Sequence, residues 1–305
     1  ITKEVFEKFK KYYEPDVFRA AGKRIRAMAR AADKVSVEER IGRITTIPNT
    51  FRNPDKETVL TPWRVVNMHL SDCLGGYTFY DEAFEHPLEE PRFVDQGEVT
   101  KEVFAPDARI LEINSKSGLY LLYMAYGIYR SRLKAEYPDG NGTPEQQMAV
   151  WDQVIAENIF VICKTPMAKS ITKRTLAGFR KAKVNTRYFE DLVNQITNKS
   201  ANFAEKVKQG KTYWKSNNND NMKFNAIVGN PPYQVMDGGG TGSSAIPVYN
   251  RFVEIAKLIK PDYISMIIPS KWYSGGRGLD QFREKMLNDL RIQKLVDYDD
   301  SRDCF

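Results

Sequence analysis

Histidine and cysteine are scarce in this chain: two His and three Cys among 305 residues. Cys73, Cys163 and Cys304 are scattered, and no CxxC or HExxH spacing occurs, so a zinc cluster or a zinc-protease site is excluded and no metal is expected. The same scarcity excludes a disulfide framework and fits a reducing, cytoplasmic compartment. Long apolar runs are missing too. The longest are strand-sized, such as Ile159–Cys163, far below the ~20 apolar residues that cross a bilayer, so no membrane partner is expected. A starting Met and a signal peptide are also absent, and the chain reads as a piece of a longer polypeptide.

What is present is globular: 42% hydrophobic and 28% charged residues, enough for one large domain or two modest ones. The net charge of +7 is unevenly placed. Residues 1–50 hold 12 Lys+Arg against 7 Asp+Glu, with Lys23, Arg24, Arg26 and Arg30 close together. Residues 164–215 hold 13 against 3, which leaves the remainder slightly acidic. A basic stretch is either a solvated helical face or a phosphate-contacting surface. If the second holds, reversing several of Lys173, Arg174, Lys181 and Lys183 weakens nucleic-acid binding.

The first fifty residues read as helices, with Val5, Phe6, Phe9, Tyr12 and Tyr13 at helical spacing. A loop follows over 45–60. Thr61 and Pro62 then open a helix, Thr as cap and Pro at its first position. From about residue 105, strands and helices alternate. Strands are expected over 109–113, 158–163, 224–229, 263–268 and 292–298, and helices over 119–133, 167–181, 248–260 and 279–290. That order predicts an α/β chain with a mainly parallel sheet. Residues 216–221 and 238–244 are rich in Asn, Ser and Gly and read as mobile loops.

One segment carries chemistry. A buried strand over 224–229 ends in Gly229 and runs into Asn230-Pro231-Pro232-Tyr233. Two successive prolines fix φ and remove two donors, so the turn is stiff. Open α/β sheets bind ligands at the carboxyl ends of their strands, which is where this turn falls. There the Asn230 side-chain oxygen and the Pro231 carbonyl form a pair of acceptors for an amino group, and Tyr233 offers a flat face to a planar substrate.

This segment resembles the adenine-specific DNA methyltransferases of restriction–modification systems, in particular large fused enzymes of type II or type I-like organisation whose methylase portion carries Asn-Pro-Pro-Tyr. The resemblance spans about residues 55–305. It implies a Rossmann-like S-adenosylmethionine-dependent methyltransferase sheet with helices on both faces (59–305), preceded by a helical N-terminal region (1–58). It implies transfer of a methyl group from S-adenosyl-L-methionine to the N6 amine of an adenine flipped out of double-stranded DNA. Asn230, Pro231, Pro232 and Tyr233 would then be catalytic, with Tyr233 stacking on the base. Thr61 and Pro62 match the helix that covers the methionine end of the cofactor. Glu112, Asn114 and Gly118 stand in the strand-to-glycine-loop motif, although Ile113 and Lys116 replace the family's proline and first glycine. Cys163 stands where an acid usually binds the ribose, and reads as a small buried hydrophobe. Asp191 is the acid placed near the cofactor's adenine, or else a helix-terminal charge. Lys271 or Trp272 would face the flipped nucleotide, Trp272 being equally a core residue. The family continues past the position of Phe305 into a target-recognition region, so that region and a fused or associated restriction nuclease are expected outside this chain. No Asp-x-Lys or Glu-x-Lys occurs in the 305 residues, so the common nuclease site is not in this stretch.

Two other readings stay open. Glutamine-amide protein methyltransferases share Asn-Pro-Pro-Tyr. A degenerate methylase core could also serve as a DNA- or subunit-binding module.

Overall fold

A computed structural model describes residues 7, 10, 14–48, 60–140, 142–235, 246–276 and 278–300. The helical spacing from Val5 to Tyr13, most of the loop over 45–60, the loop over 238–244 and Cys304 lie outside the described residues.

Among the described residues the first full helices are α1 (Pro15–Ala32) and α2 (Val37–Thr46). Ser36 caps α2 by accepting the Glu39 amide at 3.2 Å. Then come α3 (Trp63–Cys73), an antiparallel hairpin of β1 (Gly76–Tyr80) and β2 (Pro87–Val94), and the short α4 (Glu98–Val103). The alternating part follows: β3 (Ile110–Ile113), α5 (Leu119–Glu136), α6 (Pro144–Glu157), β4 (Ile159–Cys163), α7 (Pro166–Ala177), β5 (Asn185–Tyr188), α8 (Leu192–Asn198) and α9 (Ser200–Val207). After a π-helical turn at Gly210–Trp214 come β6 (Ala226–Gly229), the short pair β7 (Gln234–Val235) and β8 (Ile246–Pro247), α10 (Tyr249–Ile259), β9 (Tyr263–Met266), a 3₁₀ turn at Ser270–Tyr273 and α11 (Asp280–Leu287).

Five strands form one parallel sheet in the order β5-β4-β3-β6-β9. The inner strands β3, β4 and β6 are buried along their whole length, so they read as continuous apolar runs. Successive side chains serve opposite faces. Ile110, Val161, Cys163 and Val228 pack toward α3, α5, α6 and α7, while Leu111, Phe160, Ile162 and Ile227 pack toward α8, α9 and α10. The α/β class with helices on both faces therefore holds.

Several expectations need correcting. The apolar run over 292–298 pairs with no strand; Leu295 is 61% exposed, and Lys294 instead bonds the Asp72 carboxylate at 2.7 Å. Its apolar residues Leu295 and Val296 are adjacent rather than alternating, so a half-buried strand could not cover both. The edge strand β5, the β1–β2 hairpin and α6 carry weak sequence signals. Asn185-Thr186-Arg187-Tyr188 is largely polar, and α6 is marked mainly by a capping box between Thr143 and Gln146. Residues 216–221 are not loose. Asn218 bonds the Glu157 carbonyl at 3.0 Å and receives Arg109 Nε at 2.9 Å, and Asp220 accepts from the Thr212 hydroxyl at 2.6 Å.

The N-terminal helices are fastened to the sheet layer by Arg40, which is fully buried. Its guanidinium donates to the Thr175 carbonyl at 2.9 Å and the Arg174 carbonyl at 3.3 Å, the open end of α7, and pairs with Asp33 at 3.3 Å. Burial lowers its pKa to about 10, against the opposing pull of Asp33. Val37 and Ile41 of α2 join the same apolar cluster as α5. Arg40→Ala removes the donor of the buried Thr175 carbonyl and one cationic partner of Asp33, while the Arg174 carbonyl keeps the Gly178 amide. Chemical denaturation should show a loss of about 3 kcal/mol.

Candidate active site

The strand order reverses between β3 and β6: β4 and β5 extend the sheet to one side, β9 to the other. In open α/β sheets that crevice is the ligand position, because the loops leaving two adjacent strands diverge there. The loop over 114–118 leaves β3 and the turn Asn230–Tyr233 leaves β6, so the sheet brings both sequence candidates to one place. Glu112 and Gly229 mark the contact. A Cβ on Gly229 would lie 3.6 Å from Glu112 Cγ.

Thr61 joins them from the opposite end of the chain. Pro62, with φ −60° and ψ 150°, is the residue before α3, not its first helical residue, and Thr61 caps nothing. This corrects the expected cap. Its hydroxyl instead accepts Asn230 Nδ2 at 3.1 Å. Asn230 Oδ1 is buried and has no hydrogen-bond partner among the described residues. A buried acceptor without a donor is costly, on the order of 1–3 kcal/mol, and marks a place where a ligand donor fits. Pro231 is buried and Pro232 half-buried. Tyr233 is 38% exposed, with its carbonyl accepting the Val248 amide at 3.2 Å, so the turn is braced where β7 and β8 begin their pairing.

Glu112 closes the other side. Its Oε2 is also buried without a partner. Burial raises its pKa to about 7, with Ser115 and Lys116 pulling the other way. Asn114 (φ 73°) and Gly118 (φ 79°) both take left-handed backbone, which turns the chain sharply after β3. At Gly118 a side chain would also meet Thr172 Cγ2 at 3.0 Å and its Cα at 3.2 Å. The loop rests on α7: Thr175 donates to the Ser117 carbonyl at 2.6 Å, and the Ser115 and Thr172 hydroxyls lie 3.2 Å apart. Cys163 is fully buried, and desolvation pushes its thiol up to about 12. It therefore behaves as the small apolar residue expected.

The remaining candidates stand beyond the carboxyl ends of β5 and β9. Asp191 is exposed just before α8, and its Oδ2 receives Asn194 at 3.3 Å and Gln195 at 3.0 Å. Those two bonds, Gln195 first, hold its pKa below the ordinary value. Trp272 is 3% exposed and packs with Tyr249, Leu279 and Phe282. Lys271 beside it is exposed.

His69 gave no motif signal, yet it positions the site. One ring nitrogen lies 3.0 Å from the Tyr120 hydroxyl on α5, the other 2.8 Å from Ser265 on β9. Desolvation lowers its pKa to about 4, outweighing the pull of Asp72. Neutral imidazole has one donor and one acceptor, and two hydroxyls can satisfy both. His69 thus pins α3, and with it Thr61, across the sheet. The scarcity of histidine was the only pointer to it.

With this geometry in hand, the comparisons become informative. The family model described as Eco57I restriction-modification methylase matches residues 157–305. That stretch contains β4, β5, β6, the Asn230–Tyr233 turn and β9. It does not reach Thr61 or the loop after β3. A protein of Mycoplasma pneumoniae (strain ATCC 29342 / M129 / Subtype 1), named as an uncharacterized adenine-specific methylase, is 38% identical over 86 residues. Those residues are 28% of this chain and 20% of that protein, so the match spans about a fifth of the relative's length.

The Glu112 carboxyl generates a pH prediction. Its folded pKa lies above the value of about 4.5 it has when exposed, so the folded state binds more protons between those values. Stability contributed by the neutral acid is present at low pH and is lost as pH rises from about 4.5 to about 7. Glu112→Gln should therefore match the parent in urea unfolding at pH 4, and exceed it at pH 8 by about 3 kcal/mol.

Proposed function

We propose that this chain is the catalytic core of an S-adenosylmethionine-dependent DNA methyltransferase acting on the N6 amine of adenine, the modification part of a restriction–modification enzyme. The observation that carries the reading is the Asn230 amide: Nδ2 is committed to Thr61, which turns a buried, unpartnered Oδ1 toward any incoming donor. The family model and the relative's printed name support the same substrate class.

The residues suit the reaction. Asn230 Oδ1 accepts one hydrogen of the adenine amine and the Pro231 carbonyl accepts the other. With both hydrogens held, the nitrogen lone pair is drawn out of ring conjugation and presented as a nucleophile. Tyr233 stacks on the flipped base, worth ~1–3 kcal/mol. The nitrogen then sheds one proton to water, and no covalent enzyme intermediate is needed.

The cofactor fits the crevice on one ground in particular: Glu112 offers a buried, unpartnered carboxyl oxygen to a ligand donor. S-adenosylmethionine, when bound, supplies an electrophilic methyl group. Thr61, Pro62, Glu112, Asn114 and Gly118 would line its site, with Asp191 at the adenine end. Lys271 is the better placed of the two base-pocket candidates, since Trp272 is committed to packing. Double-stranded DNA is the partner, and the target-recognition region and nuclease are assigned to other parts of the enzyme. The N-terminal helices (1–58) form a separate functional region from the methylase core (59–305), in a cytoplasmic protein.

An amide nitrogen of glutamine would fit the same acceptors, but the matched family and relative favour adenine in DNA. The test is transfer of tritiated methyl groups to adenine-containing duplex by the full-length protein. Asn230→Ala should lower the rate about 10²–10³-fold, and Tyr233→Ala about 10–100-fold. Unchanged rates in both variants would refute the assignment.

A further inference from the structure

Helix α1 has two unlike faces. Arg19, Lys23, Arg26 and Arg30 recur at i, i+4, i+7 and i+11, so they form one stripe within about a sixth of the helix circumference. All four are exposed, and no acidic residue interrupts 17–32. None makes an ion pair among the described residues. The opposite face carries Ile25, Met28 and Ala32, which turn inward against α2.

The stripe is not isolated. Arg30 stands over the Phe179 ring at 5.1 Å, and Arg174 of α7 stands over the same ring at 4.1 Å. Phe179 thereby joins two basic segments that lie about 150 residues apart in sequence. The acids at this junction are already committed: Asp33 to Arg40, Arg180 and the Phe179 amide, and Asp152 to Arg180. From the junction, α7 runs about 18 Å back to its N-terminus, adding exposed Lys173 on the way. That N-terminus follows β4 and lies at the carboxyl end of the sheet, the end that carries Asn230.

We infer that α1 and α7 form one continuous phosphate-binding track that holds duplex DNA flanking the methylated base. This rests on the proposed DNA substrate and adds to it a surface that joins two basic segments distant in sequence. Successive cations on the α1 stripe rise by about 4.5–6 Å. Each therefore meets a separate phosphate on a strand carrying one charge per 3.4 Å of axis. A lipid surface fits less well. A membrane-bound helix buries its apolar face in the lipid, and here that face from Ile25 onward is occupied by the protein itself.

The experiment uses the full-length protein and a 40-base-pair duplex, with Kd measured between 50 and 200 mM salt. The variant replaces Arg19, Lys23, Arg26 and Arg30 by Gln. Four lost phosphate contacts lower the slope of log K against log salt by about 3.6, so across this range the parent should lose roughly 100-fold more affinity than the variant. Methyl transfer at saturating duplex should be unchanged, since no residue of the stripe touches the site, and an unchanged thermal midpoint shows that the variant folds. An unchanged slope overturns the track, as does binding of the stripe to anionic vesicles in place of DNA. Salt-dependent binding without methyl transfer by the parent would instead refute the methylase reading and leave the track standing.

Discussion

A single hydrogen bond, from the Asn230 side-chain amide to the Thr61 hydroxyl, ties the start of α3 to the turn after β6. An Asn side chain is ambiguous, since it presents donors at one end and an acceptor at the other. Thr61 accepts from the donor end, which leaves Oδ1 buried and unpartnered. This bond spans 169 residues and depends on everything that places α3 over the sheet. His69, held between Tyr120 and Ser265, is one fastening, beside the buried Trp63, Val66 and Leu70 of the same helix. Because burial keeps its imidazole neutral, the fastening does not switch within the physiological pH range.

The second constraint is the parallel sheet. The order β5-β4-β3-β6-β9 brings the ends of β3 and β6 together, so two loops more than a hundred residues apart in sequence share one crevice. Both loops leave a polar atom buried and unpartnered there, Glu112 Oε2 and Asn230 Oδ1. A buried acceptor of this kind is unfavourable in isolation and open to a ligand donor, a property that Asn158 Oδ1, Asn185 Oδ1 and Asn250 Oδ1 share elsewhere in the chain. Asn67, by contrast, is fully satisfied: its amide bonds the Trp63 carbonyl, the Thr78 hydroxyl and the Phe79 amide.

Electrostatics follows the same division. The interior cations are neutralised locally, with Arg40 and Arg180 bound to Asp33 and Asp152. Part of the basic stretch over 164–215 is likewise engaged within the chain. Arg174 donates to the Gly178 carbonyl at 2.8 Å, and Lys183 bonds the Lys215 carbonyl. Exposed cations of α1 and of the outer face of α7, Arg19, Lys23, Arg26, Arg30 and Lys173, make no ion pair among the described residues. Net charge alone could not reveal this, because it counts paired and unpaired cations equally.

The inner strands, the long helices that flank them and the Asn-Pro-Pro-Tyr turn were legible in the sequence. Each is a local feature: a continuous apolar run, a 3.6-residue period, or a proline pair that fixes φ. The sequence by itself thus determined the α/β class and the place of the Asn-Pro-Pro-Tyr turn after a buried strand. The polar edge strand β5 was not legible, and the unpaired segment over 292–298 was misread, because pairing depends on a neighbour that no local pattern specifies. Only the tertiary structure decided that Thr61 orients Asn230 rather than capping a helix, that Trp272 belongs to a core cluster, that His69 pins α3, and that α1 and α7 share one basic face. Each of these is a contact between residues distant in the chain, and such contacts arise only when the sheet order and helix packing bring them within hydrogen-bonding or van der Waals reach.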